Sequence, residues 1–86
     1  MRFEYDPKKS LSNKQKHGID FEEAKLLWED DKMVEIRTAY EDEERFINIG
    51  KITAKVYAVV TTYRHENIRI ISARRARKKE IEIYES

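Results

Sequence analysis

The sequence predicts an α+β domain in which two N-terminal helices precede a four-stranded, largely antiparallel meander sheet and a C-terminal helix. Helix-capping residues and helical apolar spacing occur between residues 6 and 30. Alternating and continuous apolar runs, separated by short polar turns, follow up to residue 75. A chain of 86 residues leaves room for one core, so we assign residues 1–86 to a single domain.

The first elements are a short strand and a helix. Residues 3–5 alternate as a strand does. Asp6 can cap the free N–H groups of a following helix, and Pro7 suits its first position. We predict that this helix extends to His17, because Gly18 readily adopts the left-handed conformation that ends a helix.

A second helix is predicted to begin at Asp20, which has the spacing of a capping box with Glu23. It ends at residues 30–32. Its apolar stripe at helical spacing consists of Phe21, Ala24, Leu27 and Trp28. This spacing favours a core position for Trp28, with base stacking as the alternative.

Four strands and a helix complete the predicted order β-α-α-β-β-β-β-α. The strands are predicted at residues 34–40, 46–52, 56–62 and 68–73. Residues 41–44 form a polar turn, and Gly50 indicates a bulge or a close approach. The strand at 56–62 is apolar on both faces, as a central strand is. The tail at 76–85 has the pattern of a helix.

The hairpin formed by the last two strands carries most of the arginines. A tight loop that pairs Arg64 with Asn67 places alternate residues on the same face of the sheet. The arginines predicted to share one face are then Arg64, Arg69 and Arg75. Arg74 and Ser72 are predicted on the other face. A slip of one residue in the pairing would break this arrangement.

Converging arginines are the residues expected at a phosphate site. Guanidinium groups bind phosphate through paired hydrogen bonds and stay charged at physiological pH. Phosphodiester cleavage also needs a proton acceptor and a proton donor. We expect His17 or Glu80 to serve as the base, with His65, Tyr63 and Tyr84 also available. The alternative is that the arginines form ion pairs with Glu80, Glu82 or the acidic segment.

A dense basic run occupies residues 74–79, where five of six residues are cationic. Such runs attract nucleic acid without reading its sequence. We therefore predict that Arg74, Arg77, Lys78 and Lys79 bind RNA. A solvated surface is the alternative, although cations are unfavourable at the N-terminus of a helix.

Composition excludes several classes of protein. The net charge of +1 conceals a segment at 20–44 with a net charge of −8 and a segment at 51–79 with a net charge of +8. The chain has no cysteine, which excludes disulfides and thiolate metal sites and fits a reducing, cytoplasmic location. Its first residues contain no apolar signal region, no apolar run is long enough to span a membrane, and neither glycine belongs to a phosphate-binding loop. With two histidines, we predict neither a metal nor a cofactor.

Both ends of the chain resemble the BrnT toxin family of bacterial type II toxin–antitoxin modules. The resemblance rests on the opening FEYDPKKSLSNKQKHGIDFEEAKLLWED and on the closing IRIISARRARKKEIEIY. It covers nearly the whole chain, and residues 33–55 resemble the family least.

The resemblance implies a RelE-like fold and a ribonuclease activity that stops translation. It also implies a cognate BrnA-like antitoxin with a ribbon-helix-helix DNA-binding part, and a complex that reaches operator DNA through that antitoxin. The expected partners are therefore this antitoxin and RNA, with no membrane.

Two other functions are compatible with the sequence. The chain could be a non-catalytic binding module, such as a corepressor subunit whose basic face touches operator DNA. It could also be a protein-binding adaptor that uses the acidic stretch at 20–44 or an exposed sheet edge.

Overall fold

A computed structural model describes residues 2–38 and 43–86. Its elements in chain order are β1 (Phe3–Glu4), α1 (Pro7–His17), α2 (Phe21–Ala24), a 3₁₀ helix (Lys25–Glu29), β2 (Val34–Thr38), β3 (Arg45–Ile52), β4 (Lys55–Arg64), β5 (Asn67–Arg75) and α3 (Lys78–Glu85). The strands form a sheet in the order β1-β5-β4-β3-β2.

The α+β class and the antiparallel meander of β2 to β5 are confirmed. The predicted size of the sheet was wrong, because the strand predicted at residues 3–5 joins the sheet as its fifth strand, β1. It pairs in parallel with β5, where Phe3 lies beside Ile68 and Glu4 beside Arg69. A strand of two residues is too short for its sequence pattern to identify the strand it pairs with. That strand lies more than sixty positions away in the chain.

The helix boundaries follow the capping residues. Asp6 accepts a hydrogen bond from the Lys8 N–H, and Gly18 ends α1 with φ of 75°. The predicted capping box of Asp20 and Glu23 is present. The second helix is shorter than predicted, because α2 has four residues and tightens into the 3₁₀ helix.

Two predicted features lie partly outside the described residues. The strand predicted at 34–40 is described as far as residue 38. The polar turn predicted at 41–44 is described from residue 43 onward.

The main core lies between the sheet and the layer formed by α1, α2 and the 3₁₀ helix. Its buried members are Ile19, Phe21, Ala24, Leu27, Val59, Ile70 and Ala73. Trp28 packs against this core and contacts the Phe3 ring edge-on, with 5.0 Å between the ring centres. Trp28 thus packs against the core, as its helical spacing favours, but its own side chain is only partly buried.

The helix α3 packs against β3. Ile49 and Ala58 alternate along their strands with residues that face the core, and both are fully buried. We therefore place α3 on the face of the sheet opposite the core. No helix among the described residues is long and apolar enough to span a membrane.

Candidate functional site

The hairpin of β4 and β5 contains a β-bulge that decides where the arginines point. Near its turn the pairing is as predicted, with Arg64 opposite Asn67 and Thr62 opposite Arg69. The register then shifts between Val60 and Thr61. Thr61 pairs with residue 70 and Val60 pairs with residue 72, so β5 contributes one extra residue at position 71.

The prediction that Arg64, Arg69 and Arg75 share a face was wrong, because the extra residue inverts the alternation beyond the bulge. Arg75 lies opposite Tyr57, and its guanidinium carbon is 5.8 Å from the centre of that ring. Tyr57 packs against the core, so Arg75 is on the core side of the sheet. Ser72 and Arg74, predicted on the other face, instead join Arg64 and Arg69.

We call the side of the sheet that carries α3 the basic face, after Arg45, Arg64, Arg69 and Arg74. Across four strands a row of polar side chains runs over this face. Glu4 pairs with Arg69, and Arg69 pairs with Thr62. The pairing of Phe46 with Thr61 places Arg45 beside Thr62. The row therefore alternates an acid, a cation, a hydroxyl and a second cation.

Arg74, on the basic face, forms a largely buried ion pair with Glu80. Its two terminal nitrogens donate to the two oxygens of Glu80, at 2.8 and 2.9 Å. Glu80 Oε1 also accepts the Arg77 backbone N–H at 2.8 Å. The hydrogen bonds from Arg74 lower the pKa of Glu80, and Glu80 in turn raises the pKa of Arg74. Both oxygens of Glu80 are thus engaged in holding α3 on the sheet.

Arg45 and Thr62 are tied to the segment that precedes β3. Arg45 forms an ion pair with Glu43, with 3.4 Å between Nε and Oε1. The Thr62 hydroxyl donates to the Glu44 carbonyl at 2.7 Å. These contacts fix the β3 end of the polar row.

Arg64 and Arg69 form no ion pair with any carboxylate of residues 2–38 and 43–86. Arg64 is exposed at the end of β4, and Arg69 is half-buried in the middle of the row. The two residues are diagonal neighbours across the hairpin. Two adjacent cations that form no ion pair within the described part of the chain favour an anionic ligand.

Glu4 was not among the residues predicted from the sequence. It is half-buried, and its Oε1 atom is buried without a hydrogen-bond partner in the described part of the chain. The alternation of residues 3–5 does predict that Glu4 is on the opposite face of the strand from its two aromatic neighbours. That alternation could not identify Arg69 as the neighbour, because the pairing of β1 was not predictable.

His17 lies in a different part of the molecule from the polar row. It is the last residue of α1 and is exposed. A cleft of about 230 Å³ separates α1 from the edge of β5, and its lining includes Lys9, Ser12, Lys16, His17, Ile71 and Ser72. Because Ser72 is on the basic face, this α1–β5 cleft opens beside that face.

The basic run is divided by the fold. Arg74 is engaged with Glu80, whereas Arg77, Lys78 and Lys79 are exposed at the start of α3. None of the last three forms an ion pair within the described residues. They provide a cationic surface next to the basic face.

Two tyrosines considered as proton donors have acceptors elsewhere. The Tyr63 hydroxyl donates to Glu35 at 2.7 Å, and this bond raises the pKa of Tyr63 to about 12. The Tyr84 hydroxyl donates to Asp30 at 2.6 Å, which raises the pKa of Tyr84 to about 12. His65 is exposed in the hairpin turn with φ of 51°. Among the described residues, no group of three or more His, Cys, Asp or Glu could hold a metal ion.

A known protein family matches most of the chain. No curated protein matches the chain. A family model described as "Ribonuclease toxin, BrnT, of type II toxin-antitoxin system" matches residues 5–80. This match includes Arg64 and Arg69 and ends at Glu80, and Glu4 lies just outside it. The chain therefore belongs to the BrnT family of ribonuclease toxins of type II toxin–antitoxin systems.

Proposed function

We propose that this protein is a metal-independent endoribonuclease that inhibits translation, and that its site is the basic face. The observation that supports this proposal is the pair of arginines, Arg64 and Arg69, which form no ion pair with any carboxylate of residues 2–38 and 43–86 and are diagonal neighbours across the β4–β5 hairpin. Cleavage of RNA builds negative charge on the phosphate oxygens, and preorganised guanidinium groups stabilise that charge. They can supply this stabilisation without a metal ion.

The surroundings of the two arginines suit a nucleotide chain. Ile47 and Val60 lie in the row next to the polar row and are half-buried. They offer apolar surface to bases, while the arginines hold phosphates. Arg69, in the centre of the row, would contact the scissile phosphate, and Arg64 would hold the adjacent one.

The remaining predicted residues take supporting roles in this proposal. Arg74 and Glu80 hold α3 on the sheet rather than contact RNA, because the two side chains form paired hydrogen bonds with each other. Arg77, Lys78 and Lys79 attract the flanking RNA electrostatically. His17 acts from the α1–β5 cleft on a flanking nucleotide. Arg75, on the core side of the sheet, contributes less to catalysis.

We propose a BrnA-like antitoxin with a ribbon-helix-helix part as the neutralising partner, acting in the cytoplasm. Membership in a type II family supports an antitoxin partner. Covering the basic face would block RNA, and contact with operator DNA would come through the antitoxin.

The test is controlled expression with and without the product of the neighbouring gene, followed by growth and total RNA integrity. We expect growth arrest with fragmented RNA, relieved by the neighbour. Arg64→Ala and Arg69→Ala should each remove the toxicity while the protein accumulates in folded form. Full toxicity in both variants would overturn the assignment of the site.

The second candidate function is a non-catalytic corepressor subunit. The exposed cations Arg77, Lys78 and Lys79 favour it, since they suit a DNA backbone as well as RNA. Intact RNA during expression, combined with salt-sensitive DNA binding by the complex with the neighbour, would support this alternative.

A further inference from the structure

Cleavage through the 2′-hydroxyl of RNA requires a group that accepts its proton. The predicted carboxylate Glu80 has both oxygens engaged by Arg74. The hydroxyls of Tyr63 and Tyr84 are bound to carboxylates elsewhere. His17 lines the α1–β5 cleft rather than the polar row. The polar row itself contains one carboxylate, that of Glu4.

The position of Glu4 has three properties that suit a proton acceptor. The residue pairs with Arg69, so its side chain and that of Arg69 emerge on the same face of adjacent strands. It is half-buried, which restricts access by solvent. Its Oε1 atom has no hydrogen-bond partner among the described residues, although it is buried. A buried carboxylate oxygen without a partner is unfavourable in a resting protein, and a substrate hydroxyl could satisfy it.

We propose that Glu4 is the general base of the ribonuclease reaction; this inference rests on the proposed function of the basic face. Glu4 accepts the proton of the 2′-hydroxyl, and the 2′-oxygen forms a bond to phosphorus. The bond between phosphorus and the 5′-oxygen of the next nucleotide breaks. The leaving oxygen takes a proton from water, and the hydroxide that remains removes the proton from Glu4. The products are a 2′,3′-cyclic phosphate and a 5′-hydroxyl, and Glu4 returns to its starting state. Arg69 stabilises the charge on the phosphate oxygens.

The experiment uses the purified full chain and a short RNA, together with the same oligonucleotide carrying 2′-deoxyribose as an uncleavable ligand. We expect Glu4→Gln to lower kcat by about 10²- to 10⁴-fold, the range of general-base catalysis. Affinity for the deoxy ligand should stay close to that of the unchanged protein. Glu82→Gln, at an exposed position of α3, is the matched control and should keep full kcat.

The outcomes separate this inference from the proposed function. Cleavage by Glu4→Gln at the unchanged rate would overturn the role of Glu4 alone, and so would a loss caused entirely by weaker RNA binding. Absence of cleavage by the unchanged chain would overturn the proposed function. If Glu4→Gln does not fold, Glu4→Asp provides the test, because it keeps the carboxylate but withdraws it by one methylene. A lowered kcat with unchanged affinity then supports the proposal, and an unchanged kcat contradicts it.

Discussion

The side-chain amide of Asn13 pairs with the backbone of Ala73 in both directions. Its Nδ2 donates to the Ala73 carbonyl at 2.8 Å, and the Ala73 N–H donates to Oδ1 at 3.3 Å. Within residues 2–38 and 43–86, β1 pairs with β5 at residues 68 and 69, and no strand lies beside the outer edge of β5 at position 73. The Asn13 amide supplies the hydrogen bonds that a neighbouring strand would otherwise make with Ala73. The next residue, Arg74, is on the basic face.

Removal of this amide should destabilise the fold. Asn13→Ala would leave the Ala73 N–H and carbonyl without their partner, and also the Ile19 carbonyl, which accepts from Nδ2 at 2.8 Å. Buried backbone groups that lose a partner are costly, so we expect a loss of about 3 kcal/mol in the free energy of unfolding. Urea denaturation measures it. Ser12→Ala, at the exposed neighbouring position, should change little.

The pair of Arg74 and Glu80 should make stability depend on pH. Arg74 lowers the pKa of Glu80 from its ordinary value of 4.5, so the folded state favours the ionised carboxylate. The stabilisation is therefore complete above about pH 4.5 and is lost as the pH falls through the lower, folded-state pKa.

Glu80→Gln tests this dependence. The two side chains are 19% and 14% exposed, so we expect the substitution to cost about 2 kcal/mol at neutral pH. The difference from the unchanged protein should shrink as the pH falls below 4.5. Thermal unfolding at several pH values measures it. A difference that does not vary with pH would show that the ion pair is not its source.

Substitution of either glycine by alanine should lower the stability of the fold, but the physical reason differs between the two positions. At Gly50 an added Cβ would lie 3.0 Å from Leu27 Cγ and 3.1 Å from its Cδ1, so overpacking should cost about 1–3 kcal/mol. At Gly18 no atom lies within 4 Å of an added Cβ, but φ of 75° disfavours alanine by about 1 kcal/mol. Calorimetry should show the larger loss for Gly50→Ala. Equal or inverted losses would contradict this account.

The hydrogen bond between Tyr63 and Glu35 should be visible in titration. Glu35 raises the pKa of Tyr63 to about 12 because the phenol donates to a carboxylate. Glu35→Gln should bring that pKa back toward 10.0. The ring-carbon chemical shift of Tyr63 followed against pH by NMR measures the change. An unchanged pKa in the variant would exclude the bond to Glu35 as its cause.

Local signals in the sequence predicted much of this fold. The caps at Asp6, Gly18 and Asp20, and the tight hairpin that pairs Arg64 with Asn67, were predictable because each depends on residues a few positions apart. The close approach predicted as one possibility at Gly50 is also confirmed, because a Cβ added there would lie 3.0 Å from Leu27 Cγ.

The features that were not predictable depend on distant contacts. The bulge at position 71 has no local signature, yet it exchanges the faces of Arg74 and Arg75. The pairing of β1 with β5 joins residues more than sixty positions apart, and it alone brings Glu4 beside Arg69. The arginine-rich hairpin could therefore be identified from the sequence, but the composition of the basic face could not.

The most direct test of the central claim is RNA cleavage by the purified protein in the presence of a metal chelator, with Arg69→Ala compared with Arg75→Ala. We predict that the unchanged protein cleaves RNA with the chelator present. Arg69→Ala should lower kcat by about 10²-fold or more, as expected when a charge-stabilising group is removed. Arg75→Ala should retain most of the activity, because Arg75 lies on the core side over Tyr57. Loss of activity in Arg75→Ala with full activity in Arg69→Ala would contradict the assignment of the site to the basic face.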